Sequence, residues 1–439
     1  MNKISNGLKK LNSLDFTKEQ IINFLLHVAI ILVPLIIFDF RLFGIDSEVS
    51  QGHSQFVEGK VYFMMILGVL LLILSIMSLR KINKENIIAL IFLSTIFVSA
   101  ICSPYMNTAF FGNKDRGEGF IIIAVYVLMF ILASHYFKPS KLTLRMIFIS
   151  TIIVNVIALV QFMGFDLISF LLGFEQGGKN SALGTIGNRN FLGTYSCIFL
   201  ILSMAIYIFK AKKEYLIYAC INFIGLLCSL TRSCWMSFVV VSVIGIIFIL
   251  KRKDCLKRAG ILIITLIAIF ASLNFVSDNR IIGRSSIENI VSNDGELVDS
   301  AYNRNEIFKL SVRAFCQKPF LGTGPDTLSL RLKDDYTKEY WEYAILRGQT
   351  IDKAHNEFLE YAVCDGAFTL IAYIVLIIFV IKKLVKNIKD DVNKILLLVI
   401  VGYLVQSILN ISTVGVAQIF WIILGYAICR NNKQGLEEK

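Results

Sequence analysis

Charge and proline are both scarce in this sequence. Only 17% of its 439 residues are Asp, Glu, Lys or Arg, and only five are proline. Soluble globular chains carry about 25% charged residues, so the composition excludes a string of ordinary soluble domains. The shortage of proline, together with 34 phenylalanines, also excludes long disordered linkers. The chain is mainly apolar instead, with 56% hydrophobic residues and a mean hydropathy of +0.68.

Several chemical motifs are absent as well. The nine cysteines form no C-x-x-C pair, and the sequence contains no H-x-x-x-H or D-x-D, so it predicts neither a disulfide framework nor a metal site. It has no phosphate-binding loop of the Walker or Rossmann kind, which argues against an ATP-driven pump, and no cofactor is expected. Cys316 and Cys364 share one long polar segment, where a disulfide and two free thiols both remain open.

The apolar residues fall in long blocks. A bilayer core of about 30 Å requires roughly 20 apolar residues in a helix, and twelve blocks approach that length. They are Ile21–Phe38, Val61–Leu79, Ile87–Ser103, Phe120–Phe137, Met146–Phe162, Phe191–Phe209, Leu216–Leu230, Trp235–Leu250, Ala259–Val276, Ala367–Ile381, Ile395–Leu409 and Ile419–Cys429. The sequence therefore predicts an all-α integral membrane protein with about twelve transmembrane helices.

The basic residues predict the orientation of these helices. Among the short connections, 26 Lys and Arg lie on the side of the two termini and seven on the opposite side. Because cytoplasmic loops carry the excess of Lys and Arg, both termini are predicted to be cytoplasmic. The same rule accounts for the net charge of +12, so nucleic acid is not an expected partner.

One connection is far longer than the others. Residues 277–366, on the predicted outer face, form a polar segment of about ninety residues between the ninth and tenth blocks. Within it, the amphipathic pattern of Asn303–Gln317 predicts a helix. The chain thus divides into a membrane region of nine helices at 1–276, a large extracytoplasmic loop at 277–366, and three helices with a cytoplasmic tail at 367–439.

The predicted outer connections are rich in glycine and polar side chains. Six segments stand out: Phe110–Gly119 (FFGNKDRGEG), Gly184–Phe191 (GTIGNRNF), Ser229–Trp235 (SLTRSCW), Asn303–Asn305 (NRN), Lys318–Pro325 (KPFLGTGP) and Ala354–Leu359 (AHNEFL). If these loops converge, their polar groups would form one site.

Arg232 is the most informative of these residues. An arginine at the centre of a membrane helix costs about 2.5–3.5 kcal/mol, and the outer side disfavours basic residues. One interpretation is a side chain that snorkels to lipid phosphate. The other is an anion site, because guanidinium binds phosphate oxygens in a bidentate manner and stays charged.

His355 lies in the long segment, just before the tenth predicted helix. Taken alone, it could be an interfacial or helix-capping residue. An imidazole with a pKa near 6.5 can also act as a general base or orient a hydroxyl group. Both interpretations remain open on the residue alone.

Together, these segments resemble the O-antigen ligase and polymerase superfamily of bacterial membrane glycosyltransferases. The resemblance rests on FG…RxEG (Phe111 to Gly119), GxxGNxN (Gly184 to Asn190), SxxRxxW (Ser229 to Trp235), an Arg-led helix ending in PxLGxG (Arg304 to Gly324) and HNxxL (His355 to Leu359). Members have about a dozen helices, cytoplasmic termini and a large outer loop late in the chain. This chain departs from the family at Arg189, where proline is usual.

The resemblance implies a fold like that of C-type membrane glycosyltransferases. It also implies transfer of a glycan from a polyprenyl (undecaprenyl) diphosphate to a glycan, lipid or protein hydroxyl at the outer face of the bacterial cytoplasmic membrane. In that reaction Arg232 and Arg304 would hold the diphosphate, and His355 would position or deprotonate the acceptor. Arginines are the expected donors since no metal motif is present. The other polar motif residues are assigned to substrate binding: Arg116, Glu118, Asn188, Arg189, Asn190 and Asn356.

Other functions remain possible. A secondary transporter or a lipid-linked glycan flippase would place ionisable residues at mid-membrane depth and would break helices in paired halves. Most of the predicted spans have uncharged centres, which favours the enzyme. A non-catalytic scaffold would leave Arg232 unexplained. Ligase and polymerase stay unseparated because both use the same donor and differ in the acceptor.

Overall fold

The computed structural model describes residues 17–38, 54–78, 82–172, 182–285 and 300–437. Within those ranges the chain forms nineteen α-helices and no β-strand. The helices are α1 (Lys18–Ile31), α2 (Ser54–Ser78), α3 (Lys84–Ile101), α4 (Met106–Phe111), α5 (Phe120–Tyr136), α6 (Lys141–Phe162), α7 (Leu167–Leu172), α8 (Arg189–Lys210), α9 (Glu214–Cys228), α10 (Arg232–Ile249), α11 (Lys253–Val276), α12 (Arg280–Ser285), α13 (Ser300–Gln317), α14 (Leu328–Asp335), α15 (Thr337–Arg347), α16 (Glu357–Asp365), α17 (Ala367–Lys386), α18 (Asp391–Ser407) and α19 (Ala417–Glu437).

Helices occupy all twelve predicted apolar blocks. In the described parts of the chain, eight helical segments are long and apolar enough to cross a membrane: Lys18–Leu35 and most or all of α2, α3, α6, α8, α10, α11 and α17. Helices α5 and α9 are apolar but shorter, at 17 and 15 residues, and α18 and α19 fill the last two blocks. The chain is therefore a multi-pass helical membrane protein. Its twelve crossings and the side of its termini remain predictions.

The helices begin and end differently from the predicted blocks. Most are longer: α11 begins at Lys253 and not at Ala259, because a helix continues past the hydrocarbon layer to where lysine meets water. The first is shorter than the predicted block ending at Phe38. It ends at Ile31 and continues as a 3₁₀ turn at Val33–Leu35. Pro34 lies in that turn and cannot donate the hydrogen bond that would extend the helix.

Helix α8 lies near the centre of the bundle, with 16 of its 22 residues buried. It packs against α6, α9, α10, α11 and α18. The first residue of α8, Arg189, and the first residue of α10, Arg232, both line one cavity. The two helices therefore begin at the same end of the bundle. The ends of these two helices therefore set the position of the functional groups described below.

Segment 277–366 contributes helices α12 to α16. Helix α13 confirms the amphipathic helix predicted at Asn303–Gln317, and it begins three residues earlier, at Ser300. Helices α13 to α16 share a hydrophobic cluster separate from that of the membrane helices. Arg331, fully buried in α14, donates to the backbone oxygens of Val363 (3.1 Å) and Ala314. This one side chain therefore joins α13, α14 and α16. Treating the segment as a separate domain remains a prediction.

His355 does not lead directly into the tenth predicted span. A separate nine-residue helix, α16, follows it and ends at Gly366, whose φ of +85° favours glycine. A Cβ atom at Gly366 would lie 1.9 Å from the backbone oxygen of Phe320. The neighbouring amide of Ala367 donates to the backbone oxygen of Pro319 at 2.7 Å. The backbone of PxLGxG thus packs against the end of α16 and separates that helix from α17.

Candidate active site

A cavity of about 520 Å³ opens at the end of the bundle from which segment 277–366 extends. Loops from three membrane-helix connections and from that segment meet there. The cavity is lined by Arg189, Asn190, Leu230, Thr231, Arg232, Ser233, Met236, Arg284, Arg304, Asn305, Phe308, Ala354, His355, Asn356, Ile408 and Leu409. Four of these side chains are arginines, and none of the described lining residues is acidic. The cavity therefore has the charge of an anion-binding site.

The side chains of Arg232 and Arg284 are each held by a hydrogen bond to a backbone oxygen at or near the other arginine. The Nε atom of Arg232 donates to the backbone oxygen of Arg284 at 3.0 Å, and the Nε atom of Arg284 donates to that of Leu230 at 3.4 Å. Leu230 has a φ of +50°, which closes the tight hairpin between α9 and α10. This hairpin directs Arg232 into the cavity at the start of α10.

The GxxGNxN segment forms the N-terminus of α8. Asn188 is its N-cap, and its side-chain oxygen accepts from the amide of Asn190 at 2.8 Å. Arg189 is then the first helical residue, a position where proline is favoured because its amide needs no partner. The family's usual proline is thus exchanged for a residue that fits the same helix start and adds a cation to the cavity. Thr231 donates to the backbone oxygen of Arg189 at 3.1 Å, which joins this segment to the SxxRxxW hairpin.

Arg304 reaches the cavity from α13, beside Asn305 and Phe308. Asn356 lines it from the opposite part of segment 277–366, and its side-chain oxygen caps α16 by accepting from the amide of Leu359 at 3.0 Å. The cavity therefore contains six of the nine sequence-predicted site residues. They are Arg189, Asn190, Arg232, Arg304, His355 and Asn356. The roles of these residues remain predictions.

His355 combines an unusual backbone with an unsatisfied ring atom. Its φ is +51°, and its Nδ1 atom is buried without a hydrogen-bond partner among the described residues. Its Nε2 atom lies 3.8 Å from Oδ1 of Asp352. Burial lowers the pKa of His355, Asp352 raises it, and the cationic Arg304 and Arg116 lower it further, with a net decrease. The imidazole is therefore neutral near pH 7 and can accept a proton.

Arg116 lies behind the cavity wall and not in it. Its Nε atom donates to Oδ2 of Asp352 at 2.8 Å, and its guanidinium stacks 5.2 Å above the centre of the Phe191 ring. Two motifs far apart in sequence, FG…RxEG and GxxGNxN, meet through this stacking. Asn188, as the helix cap, is also outside the set of residues that line the cavity.

Glu118 lies in a buried ion cluster around Lys353. The Nζ atom of Lys353 is 3.0 Å from Asp326, 3.3 Å from Glu360 and 3.8 Å from Glu118, and its side chain is only 3% exposed. Oδ2 of Asp326 also accepts from the amides of Asn113 (2.7 Å) and Glu118 (3.1 Å). Burial raises the pKa of Glu118 to about 8, although Lys353 opposes this. The cluster ties the FG…RxEG loop to segment 277–366.

Three further residues at or beside the site escaped the sequence analysis: Arg284, Asp352 and Lys353. Arg284 lies in segment 277–366, and the charge rule does not apply to such a long connection, so no sequence signal distinguished it. Asp352 and Lys353 lie just before His355 but belong to no motif of the family. Only the fold shows that their side chains point towards Arg116 and Glu118.

The nine cysteines are free thiols. Cys316 is exposed and Cys364 is buried, with its Sγ atom 3.5 Å from a carboxylate oxygen of Glu360. The structure therefore supports the free-thiol alternative for this pair. Among the described residues, no group of three His, Cys, Asp or Glu is arranged to hold a metal ion.

Fold and site together define a multi-pass helical membrane protein with an arginine-lined cavity and a neutral histidine at one end of the bundle. Residues 217–374 match the family described as O-Antigen ligase. The matched range includes Arg232, Arg284, Arg304 and His355, so the resemblance to the O-antigen ligase and polymerase superfamily is confirmed. No curated protein matches the chain. The family indicates a membrane protein of the glycosyltransferase type, acting on a lipid-linked glycan and an acceptor.

Proposed function

We propose that this protein transfers a glycan from a polyprenyl (undecaprenyl) diphosphate carrier to an acceptor hydroxyl at the outer face of the bacterial cytoplasmic membrane. The observation that carries the proposal is the meeting of four arginines and one neutral histidine in a single cavity. The four are Arg189, Arg232, Arg284 and Arg304. Their charge suits a diphosphate, and the histidine suits a hydroxyl group that must lose a proton.

The reaction is a substitution at the anomeric carbon of the donor sugar. The acceptor oxygen forms a bond to that carbon as its proton passes to His355. The bond between the carbon and the diphosphate oxygen breaks, and the electron pair leaves with the lipid diphosphate. Fixed cations at the leaving oxygen stabilise this charge more in the transition state than in the substrate. Arg232 and Arg304 are the proposed donors, with Arg189 and Arg284 beside them.

A direct displacement of this kind inverts the anomeric centre. The proposal supports inversion because the cavity offers a base and no carboxylate nucleophile among its described lining residues. It also makes the reaction independent of metal ions, because guanidinium groups supply the positive charge. Asn190 and Asn356 are proposed to contact sugar hydroxyls. Arg116, Glu118 and Asn188 are proposed to support the site from behind its wall.

The test uses purified protein in lipid vesicles with a synthetic polyprenyl-diphosphate oligosaccharide. Release of lipid diphosphate and the size of the glycan product are followed with EDTA present. His355→Ala and Arg232→Ala should each lose release by a factor of about 100 or more. The matched control is Arg313→Ala, which removes an exposed arginine of α13 that pairs only loosely with Glu339 at 3.8 Å. It should retain the wild-type rate.

The products decide between the remaining alternatives. A longer glycan made from the donor alone identifies a polymerase, and release that requires an added acceptor identifies a ligase. Movement of the intact donor between leaflets without release would overturn the proposal and establish a flippase. Equal activity in wild type and both cavity variants would place the reaction elsewhere in the protein.

A further inference from the structure

We infer that Asp352 is a positioning residue for His355: held by Arg116, its carboxylate orients the imidazole from the Nε2 side and stabilises the imidazolium that forms when His355 takes the acceptor proton. This inference deepens the proposed function and rests on it for the identity of the reaction. The geometry that carries it is the row Arg116–Asp352–His355. Oδ2 of Asp352 is bound by Arg116 at 2.8 Å, and Oδ1 lies 3.8 Å from Nε2 of His355.

The two ring nitrogens of His355 have different surroundings. Nε2 faces a carboxylate, whereas Nδ1 is buried without a hydrogen-bond partner in the described structure, on a residue that lines the cavity. Nε2 is therefore the ring atom through which Asp352 acts on the orientation and the charge of His355.

Asp352 is itself held in a fixed orientation. Arg116 binds its Oδ2 through Nε and a terminal amino group, and the guanidinium of Arg116 is stacked on Phe191 at the start of α8. Burial raises the pKa of Asp352, but Arg116 and His355 outweigh burial, so the pKa lies below its usual range. The carboxylate is therefore ionised when His355 is neutral. Arg116 acts at the site through Asp352 without lining the cavity.

The charge of Asp352 also has a catalytic consequence. The groups that act on the titration of His355 are Asp352, Arg304 and Arg116, and Arg189, Arg232 and Arg284 share the cavity with it. Five cations would make the imidazolium unfavourable, and Asp352 is the anion among these groups that opposes them. When His355 takes the acceptor proton, Asp352 pairs with the resulting imidazolium. The separation of 3.8 Å would shorten at that point, as contacts of catalytic bases often do.

The first test needs no turnover. The chain has only four histidines, His27, His53, His135 and His355, so ¹⁵N-histidine NMR of the full chain in nanodiscs, with His355→Gln for assignment, resolves the residue of interest. Asp352→Asn should lower the pKa of His355 by about one unit, whereas Glu342→Gln, which changes an exposed carboxylate of α15, should leave it unchanged. An unchanged pKa of His355 in Asp352→Asn would overturn the inference.

The second test separates positioning from folding. Asp352→Asn should reduce kcat for lipid-diphosphate release by about 10- to 100-fold, with the KM for the lipid donor changed less than twofold and the acid limb of the pH–rate profile shifted to lower pH. Asp352→Glu should restore part of kcat. A rise in KM with unchanged kcat would show that Asp352 serves donor binding and would refute the positioning role. If wild type releases no lipid diphosphate, the proposed function fails, while the NMR result still decides the role of Asp352.

Discussion

Arg232 and Arg284 hold each other at the wall of the cavity: Arg232 donates its Nε proton to the backbone oxygen of Arg284 at 3.0 Å, and Arg284 donates its own to that of Leu230, two residues before Arg232, at 3.4 Å. Arg232 lies at the start of α10, and Arg284 lies on α12, the first helix of segment 277–366. Each of the two arginines therefore stabilises the backbone at or near the other one. A positively charged pair is costly to place together, and an anionic ligand offsets that cost.

The first prediction concerns Arg284. We expect Arg284→Ala to reduce lipid-diphosphate release by about 10- to 100-fold, because it removes both a cation of the cavity and the anchor at Leu230. Arg284→Lys should recover little activity, because lysine cannot form the same fork of donors. Initial rates in vesicles, with Arg313→Ala as the control, measure this. A rate within twofold of wild type for Arg284→Ala would show that the diphosphate lies away from α12.

The second prediction concerns the family's usual proline. Asn188 has φ −151° and ψ 138°, a conformation favoured before proline, and Arg189 occupies the first position of α8. Arg189→Pro should therefore fold normally, with a melting temperature within about 2 °C of wild type. We expect the KM for the lipid donor to rise about tenfold, the equivalent of one charge-assisted hydrogen bond.

Arg189→Ala separates the two effects of that substitution. It removes the same charge without changing the backbone, so its KM should match that of Arg189→Pro. A large loss of thermal stability in Arg189→Pro alone would mean that the amide of residue 189 has a necessary partner. An unchanged KM in both variants would remove Arg189 from the donor site.

The third prediction is the pH dependence of transfer. Burial lowers the pKa of His355 below its usual value of 6.5, with Asp352 acting against burial and with Arg304 and Arg116 acting in the same direction as burial. A base must be unprotonated to act, so the rate should be constant above about pH 6.5 and should fall as the pH drops below the lowered pKa. The pH profile of kcat in vesicles tests this. An acid limb centred above pH 7 would contradict the neutral imidazole.

Much of this architecture is readable from sequence, for a physical reason. The length of an apolar block is dictated by the bilayer, so helices lie at all twelve predicted positions. Arg232 and His355 could be recognised from the sequence because each is an unusual residue type at its position in the chain. Asp352 could not be, because a carboxylate in a polar segment is ordinary there. Its importance depends on Arg116, which lies more than two hundred residues earlier and reaches it only in the folded chain.

The sequence analysis placed a boundary at Gly366 and began the tenth block at Ala367, but it did not predict the separate helix α16 before that glycine. The apolar pattern runs from α16 into α17 with only one glycine between them, and a single glycine is compatible with a continuous helix. What ends α16 is a tertiary contact: the turn at Pro319–Gly324 packs against it so closely that a Cβ atom has no room. The local sequence pattern alone cannot predict such a tertiary contact.

The last prediction concerns the stability of the segment that carries His355. Lys353 is buried between Asp326, Glu360 and Glu118. Lys353→Met would leave these carboxylates without their cation, and the loss of one partner of a buried ion pair typically costs about 3–5 kcal/mol. We expect a marked fall in melting temperature and loss of transfer. The control is Lys338→Met, which breaks an exposed pair with Glu342 at 3.9 Å and should change stability by less than about 1 kcal/mol.

The double variant Lys353→Met with Glu118→Gln shows whether charge is the cause. Burial raises the pKa of Glu118 to about 8, so Glu118 destabilises the fold increasingly as the pH rises from about 4.5, its unfolded value, towards 8. Replacement by glutamine removes that penalty and should recover part of the stability lost in Lys353→Met, and more of it at pH 8 than at pH 5. Thermal unfolding in detergent at both pH values measures the difference. Equal recovery at both would show that Lys353 acts through packing, because the pairing of charges is the only contribution of Glu118 that changes between the two conditions.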